Sequence, residues 1–203
     1  RRPSWLARTS GAAGFEQEEL VPVLLERRLS PDTMLRLKAA VGLNVDMIAA
    51  DYLHFYEGKD FIGCTEIGFR NDARKTLTSF STQWETHGNE DIHLFNHVDE
   101  TDSRIPRDSE KALFSVGPSS MVSLQSRATL QSIDVVELDL GEASVNGKPT
   151  RIVYDWALLL NFDNRVISLA TDYSSILGEI ELRLSGELGE LASDVNAKIS
   201  RTI

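Results

Sequence analysis

The stretch Gly147–Tyr173, GKPTRIVYDWALLLNFDNRVISLATDY, reads as one long antiparallel hairpin: a polar turn, a strand, a short turn at Asp163-Asn164 and a second strand. Asp and Asn tolerate the positive φ that tight hairpin turns require. Along the first strand Tyr154, Trp156, Leu158 and Leu160 share one parity, and Val153, Asp155, Ala157 and Leu159 share the other. Neither face is plainly polar, so both faces of this sheet should be covered.

Working outward, strand signals fall at 112–116, 121–130 and 133–140, and earlier at Ile92–Val98. Tyr52–Tyr56 alternates as a strand, with Tyr52, His54 and Tyr56 on one face. The first third otherwise reads as helical. Residues 15–29 place Leu20, Val23 and Leu24 on one stripe, and Ser30-Pro31-Asp32 starts a second helix that ends near Gly42. A short helix over 44–50 follows. Residues 72–87 read as the clearest helix, with Asp72 as cap and Leu77, Phe80 and Trp84 as its buried stripe. Residues 99–111 are a charged loop and residues 1–14 a flexible arm. Residues 174–203 are read as a C-terminal helical extension, with Leu184, Leu188, Leu191 and Val195 on its apolar side. The expected architecture is α+β: a single domain over 15–173 in which a curved antiparallel sheet wraps N-terminal helices, plus that extra helix.

Composition narrows the function classes. A chain of 203 residues that is 41% hydrophobic can build one full core. A formal net charge of -10 argues against nucleic acid or an anionic membrane as partner, since phosphate binding needs a basic surface. No apolar run approaches the ~20 residues of a membrane-spanning helix. The single cysteine, Cys64, excludes an internal disulfide framework and fits a reducing, cytoplasmic setting. The chain starts at Arg1, as a processed or excised product would. No glycine-rich phosphate loop, G-x-S-x-G elbow or C-x-x-C pair occurs, which disfavours nucleotide-dependent chemistry and serine hydrolysis.

DYLHFYEGKDFIGCTEI, residues 51–67, resembles the opening strand pair of the nuclear transport factor 2-like superfamily, the SnoaL-like polyketide cyclases in particular. KPTRIVYDWALLLNFDNRVISLATDY, residues 148–173, is similar to that family's closing hairpin. The resemblance covers roughly residues 32 to 173 and implies a cone-shaped sheet around one apolar pocket. It also implies homodimer formation and work on a small hydrophobic molecule. In the ketosteroid isomerase branch, Tyr56 falls near the position of the carboxylate base and Trp156 near that of the oxyanion-binding acid. Both substitutions depart from that branch, so steroid-type isomerisation by a carboxylate base is not supported. Asp172 matches the place where SnoaL-like cyclases carry an acid/base Asp.

Two clusters of proton-carrying side chains result. His54, flanked by Tyr52 and Tyr56, suits proton transfer, with Asp172 as a second acid/base. His93 and His97 share one strand face at a four-residue spacing and, with His54, bring three imidazoles into question. No acidic ligand stands at motif spacing, so neither a metal nor any other cofactor is expected. His54, Tyr56 and Asp172 are the catalytic candidates. Tyr52, Trp84, His93, His97, Tyr154 and Trp156 are the substrate-binding ones. The expected chemistry is cofactor-independent cyclisation, isomerisation or dehydration. The alternatives are a non-catalytic ligand-binding or dimerising module of the same fold and, further off, a lipocalin-like closed barrel.

Overall fold

The computed structural model describes residues 21–51, 53–71, 73, 76–99, 101–105, 119–171, 178–184 and 196–203. In chain order the elements are β1 (Val23–Arg27), α1 (Pro31–Ala40), β2 (Asn44–Asp51), β3 (His54–Phe55), β4 (Ile62–Cys64), β5 (Glu66–Asn71) and β6 (Leu77–His87). They continue with β7 (Glu90–Val98), β8 (Ser119–Val145), β9 (Lys148–Phe162), β10 (Val166–Thr171), β11 (Ile180–Arg183) and β12 (Ala197–Thr202).

The α+β cone is therefore corrected: among the described residues strand accounts for 67% and helix for 7%, and the strands form an open, mostly antiparallel sheet. Among the described residues α1 is the one helix, and none is long and apolar enough to cross a membrane. The start signal at Ser30-Pro31 is realised in α1, where the Ser30 hydroxyl accepts from the Thr33 N–H and Pro31 occupies the first turn. The other helical readings in the described residues become strands. Residues 23–27 run parallel to β9 over 150–154. Residues 44–51 are β2, paired with β5 and β8. A short apolar run such as Met47–Ala50 fits a buried strand as well as a helix, and pairing decides it. Residues 77–87 are β6: Leu77 and Phe80 are spaced for one helical face but fall on opposite faces of a strand. In the tail, Ile180–Arg183 and Ala197–Thr202 are strands, where the C-terminal helix was expected. Leu188, Leu191 and Val195 of its stripe, like the arm at 1–14 and the strand at 112–116, lie outside the described residues.

The long hairpin forms as read. Residues 148–162 and 166–171 pair antiparallel around a turn at 163–165, and the separate strand signals at 121–130 and 133–140 merge into the 27-residue β8. Asn146 and Gly147, both with positive φ (52° and 75°), make the tight turn between β8 and β9.

Hydrogen bonding runs in the order β3-β4-β11-β10-β9-β8-β2-β5-β6-β7, with β1 joined to β9 and β12 to β8. Strands near the two ends of that path are neighbours in the chain, since β4 passes into β5 through Thr65 alone. The sheet must therefore roll on itself, and its inner face gathers one apolar cluster that includes Leu37, Ile48, Ile67, Phe80, Leu130, Leu160 and Leu182. A second cluster, with Ile92, Leu94, Tyr154, Trp156 and Leu159, takes the alternate residues. Val135 and Val136, Leu158 and Leu159, and Leu169 and Ala170 each divide between the two. Because consecutive strand residues face opposite ways, β9, β10 and the part of β8 around Val135 and Val136 are buried on both sides, as the mixed parity of β9 indicated.

A group of charges ties the chain's outer strands to this centre. Asp155, buried on β9, accepts from Arg28 (3.1 Å), from Arg201 (3.0 Å) and from the Leu29 backbone N–H (2.8 Å). Glu137 on β8 receives Arg28 (2.8 Å) and Lys198 (3.0 Å).

Candidate acid/base site

The sheet margin made by β3, β4 and β11 carries the densest proton-transfer chemistry among the described residues. β3 and β4 form a short hairpin that pairs His54 with Gly63. β11 lies on the other side of β4, pairing Ile180 with Cys64. This register sets Glu179, the residue before β11, against the two side chains at the head of the hairpin. His54 Nδ1 stands 2.6 Å from Glu179 Oε1, and the Tyr56 hydroxyl donates to Glu179 Oε2. The side chain of Glu179 is 7% exposed and that of His54 45% exposed. A carboxylate hidden from water thus holds one nitrogen of a solvent-reaching imidazole. With Nδ1–H donated to Glu179, Nε2 carries the free lone pair.

Glycine makes this approach possible. Gly178 has φ +64°, and a Cβ there would lie 2.6 Å from Thr82 Oγ1 and 2.7 Å from His93 Nδ1. Thr82 Oγ1 instead donates to the Gly178 carbonyl at 2.6 Å, fixing the segment that presents Glu179. Beneath the cluster lies Cys64. Burial pushes its thiol up to about 12, and the charges of Glu179 and Asp51 add to the effect, so Cys64 stays protonated and inert.

On the other side of Gly178 a cleft of about 390 Å³ opens, lined by Thr65, Glu66, Ser81, Thr82, Asn96, His97 and Arg104 among others. The Glu66 carboxylate is buried and already satisfied by the Ser103 hydroxyl (2.5 Å) and the Arg104 N–H (2.9 Å), which dock residues 101–105 onto β5. His97 faces two carboxylates, Asp32 at 3.3 Å and Asp99 at 3.8 Å, and its backbone N–H donates to Thr33. His93 is buried beside Gly178 and stacks with the 56%-exposed ring of Trp84 at 6.4 Å.

The Gly178–Glu179 segment therefore joins His54 and Tyr56 on one side to His93, His97 and Trp84 on the other. Tyr154 and Trp156 are elsewhere: both are buried in the second apolar cluster, where Trp156 Nε1 donates to the Thr171 carbonyl at 2.8 Å. Tyr52 and Asp172 lie outside the described residues. His87 ends β6 and contacts Glu85 at 3.1 Å. No group of three or more His, Cys, Asp or Glu among the described residues is placed to hold a metal ion. Glu179 went unread because its segment was taken as helix. The signal that points to it is the period-two run Glu179-Ile180-Glu181-Leu182-Arg183, whose Ile180 and Leu182 are fully buried.

No family model matches this chain, nor does any curated protein or solved structure, and nothing in these comparisons identifies the nuclear transport factor 2-like superfamily.

Proposed function

We propose that this protein is an enzyme whose chemistry is general acid/base catalysis by His54. Glu179 orients the imidazole, and Tyr56 is the second proton carrier. The observation that carries this reading is the 2.6 Å contact between His54 Nδ1 and Glu179, a shielded carboxylate holding a half-exposed imidazole. Such a pair leaves Nε2 as a base towards solvent and stabilises the imidazolium that forms when it takes a proton. The Tyr56 hydroxyl, bonded to the same carboxylate, can return a proton to a carbonyl or leaving hydroxyl. The reaction class that needs only these groups is proton transfer within one small molecule: isomerisation, cyclisation or dehydration.

Site-resolved carbethoxylation with diethyl pyrocarbonate tests this without a known substrate. His54 should react faster than His87, His93 and His97. In Glu179→Gln an amide NH₂ facing Nδ1 forces the proton onto Nε2, so His54 should react about tenfold more slowly. An unchanged His54 rate in a folded Glu179→Gln protein sinks the proposal.

A further inference from the structure

We infer that the cleft beside Gly178 binds a small, uncharged, polyhydroxylated molecule of about monosaccharide size, independently of the acid/base reading. Its volume of about 390 Å³ is at the small end of ligand pockets, which span ~300–1,000 Å³. Val98 is its one aliphatic side chain, so an apolar ligand would meet mostly groups that need hydrogen bonds.

Charge narrows the choice. The carboxylates of Glu66 and Asp102 outnumber the guanidinium of Arg104, which disfavours an anion. Glu66, the buried carboxylate, is already satisfied by Ser103 and Arg104, so no desolvated counter-charge waits for a cation. What remains are groups that both give and take hydrogen bonds, the hydroxyls of Thr65 and Ser81 and the amide of Asn96, with Thr82, whose proton is given to the Gly178 carbonyl, as an acceptor. Thr65 Oγ1 is shielded from water and has no hydrogen-bond partner among the described residues. A ligand bearing several hydroxyls matches that set, since each hydroxyl also donates and accepts. Two residues along β6 from Thr82, about 7 Å by the strand repeat, Trp84 offers an exposed ring already stacked on His93. Such a ring can cover the C–H face of a sugar while the hydroxyl edge meets the cleft.

The test is calorimetric titration and saturation-transfer NMR of the full chain with neutral hexoses and cyclic polyols, beside a hexose phosphate and a hexuronic acid. At least one neutral probe should bind with a Kd of about 1 mM or tighter. Asn96→Ala and Thr65→Val should each weaken that binding about tenfold while keeping the wild-type melting temperature. Trp84→Ala should also weaken it. Three results overturn the inference: no neutral probe bound by the folded wild-type protein, tighter binding of the anionic probes, or affinity unchanged in both cleft variants. Binding and His54 carbethoxylation are read separately, so loss of one with the other intact identifies which proposal has failed.

Discussion

Asp155 shows how much of this fold depends on single charges placed out of water. One carboxylate on β9 receives guanidinium groups from Arg28, between β1 and α1, and from Arg201 on β12, together with the Leu29 N–H. In Asp155→Asn both guanidinium groups lose their shared anion. Removing one partner of a buried ion pair costs ~3–5 kcal/mol, and the two arginines keep some contact with solvent, so about 3 kcal/mol is expected. A fall of that size in the unfolding free energy from urea denaturation would confirm it, and an unchanged midpoint would show that the network contributes nothing net. The same residue marks a limit of sequence reading. Alternation along 153–160 announced two covered faces, but nothing local to Asp155 could say that its partners lie 127 and 46 residues away. That His54 and Tyr56 lie side by side was legible, because the alternation over 52–56 sets them on one face. Glu179 was not, because the contact that gives it meaning spans 125 residues.

Among the elements, β8 and β12 are joined by charge as well as by backbone pairing. Burial opposes ionisation of Glu137, but hydrogen bonds from Lys198 and Arg28 outweigh it and hold the carboxyl below its ordinary range. A depressed folded value means stability that is complete above the unfolded value of about 4.3 and lost as pH falls through the folded one. Glu137→Gln should therefore be less stable than the wild type at pH 7, with the gap closing below about pH 4. Urea unfolding at pH 7, 5 and 3 checks this, and a gap that widens in acid contradicts it. Legibility at this scale followed turn chemistry. The hairpin after Gly147 and the capped start of α1 carry local punctuation and were readable. β2 was read as a helix because a short apolar run fits either structure until pairing chooses, and β6 because Leu77, Phe80 and Trp84 follow a helical i, i+3, i+7 spacing that strand pairing overrides. β1 defied local reading altogether, since its parallel partner is more than a hundred residues downstream.

For the whole molecule, β8 and β9 are the centre against which both outer strands are laid. β1 lies along β9 over 150–154, and β12 lies along β8 over 134–138. Removing residues 196–203 would strip the edge of β8, take Arg201 from Asp155 and Lys198 from Glu137, and leave a long strand edge open to pairing with other chains. Concentration-dependent aggregation, seen by light scattering, is the expected outcome. A truncated protein that stays soluble and melts at the wild-type temperature would show that β12 is dispensable.

That arrangement also sets a timetable on the ribosome. β9 is complete at Phe162, yet the strand that shields β8 ends 40 residues later at Thr202. At ~5–20 residues per second this is a wait of about 2–8 s, far longer than the microseconds a hairpin needs to form. β1, already synthesised, can guard β9 throughout that interval. The flank of β8 cannot be guarded until β12 emerges, so for several seconds each nascent copy offers the same unpaired edge to its neighbours on a polysome.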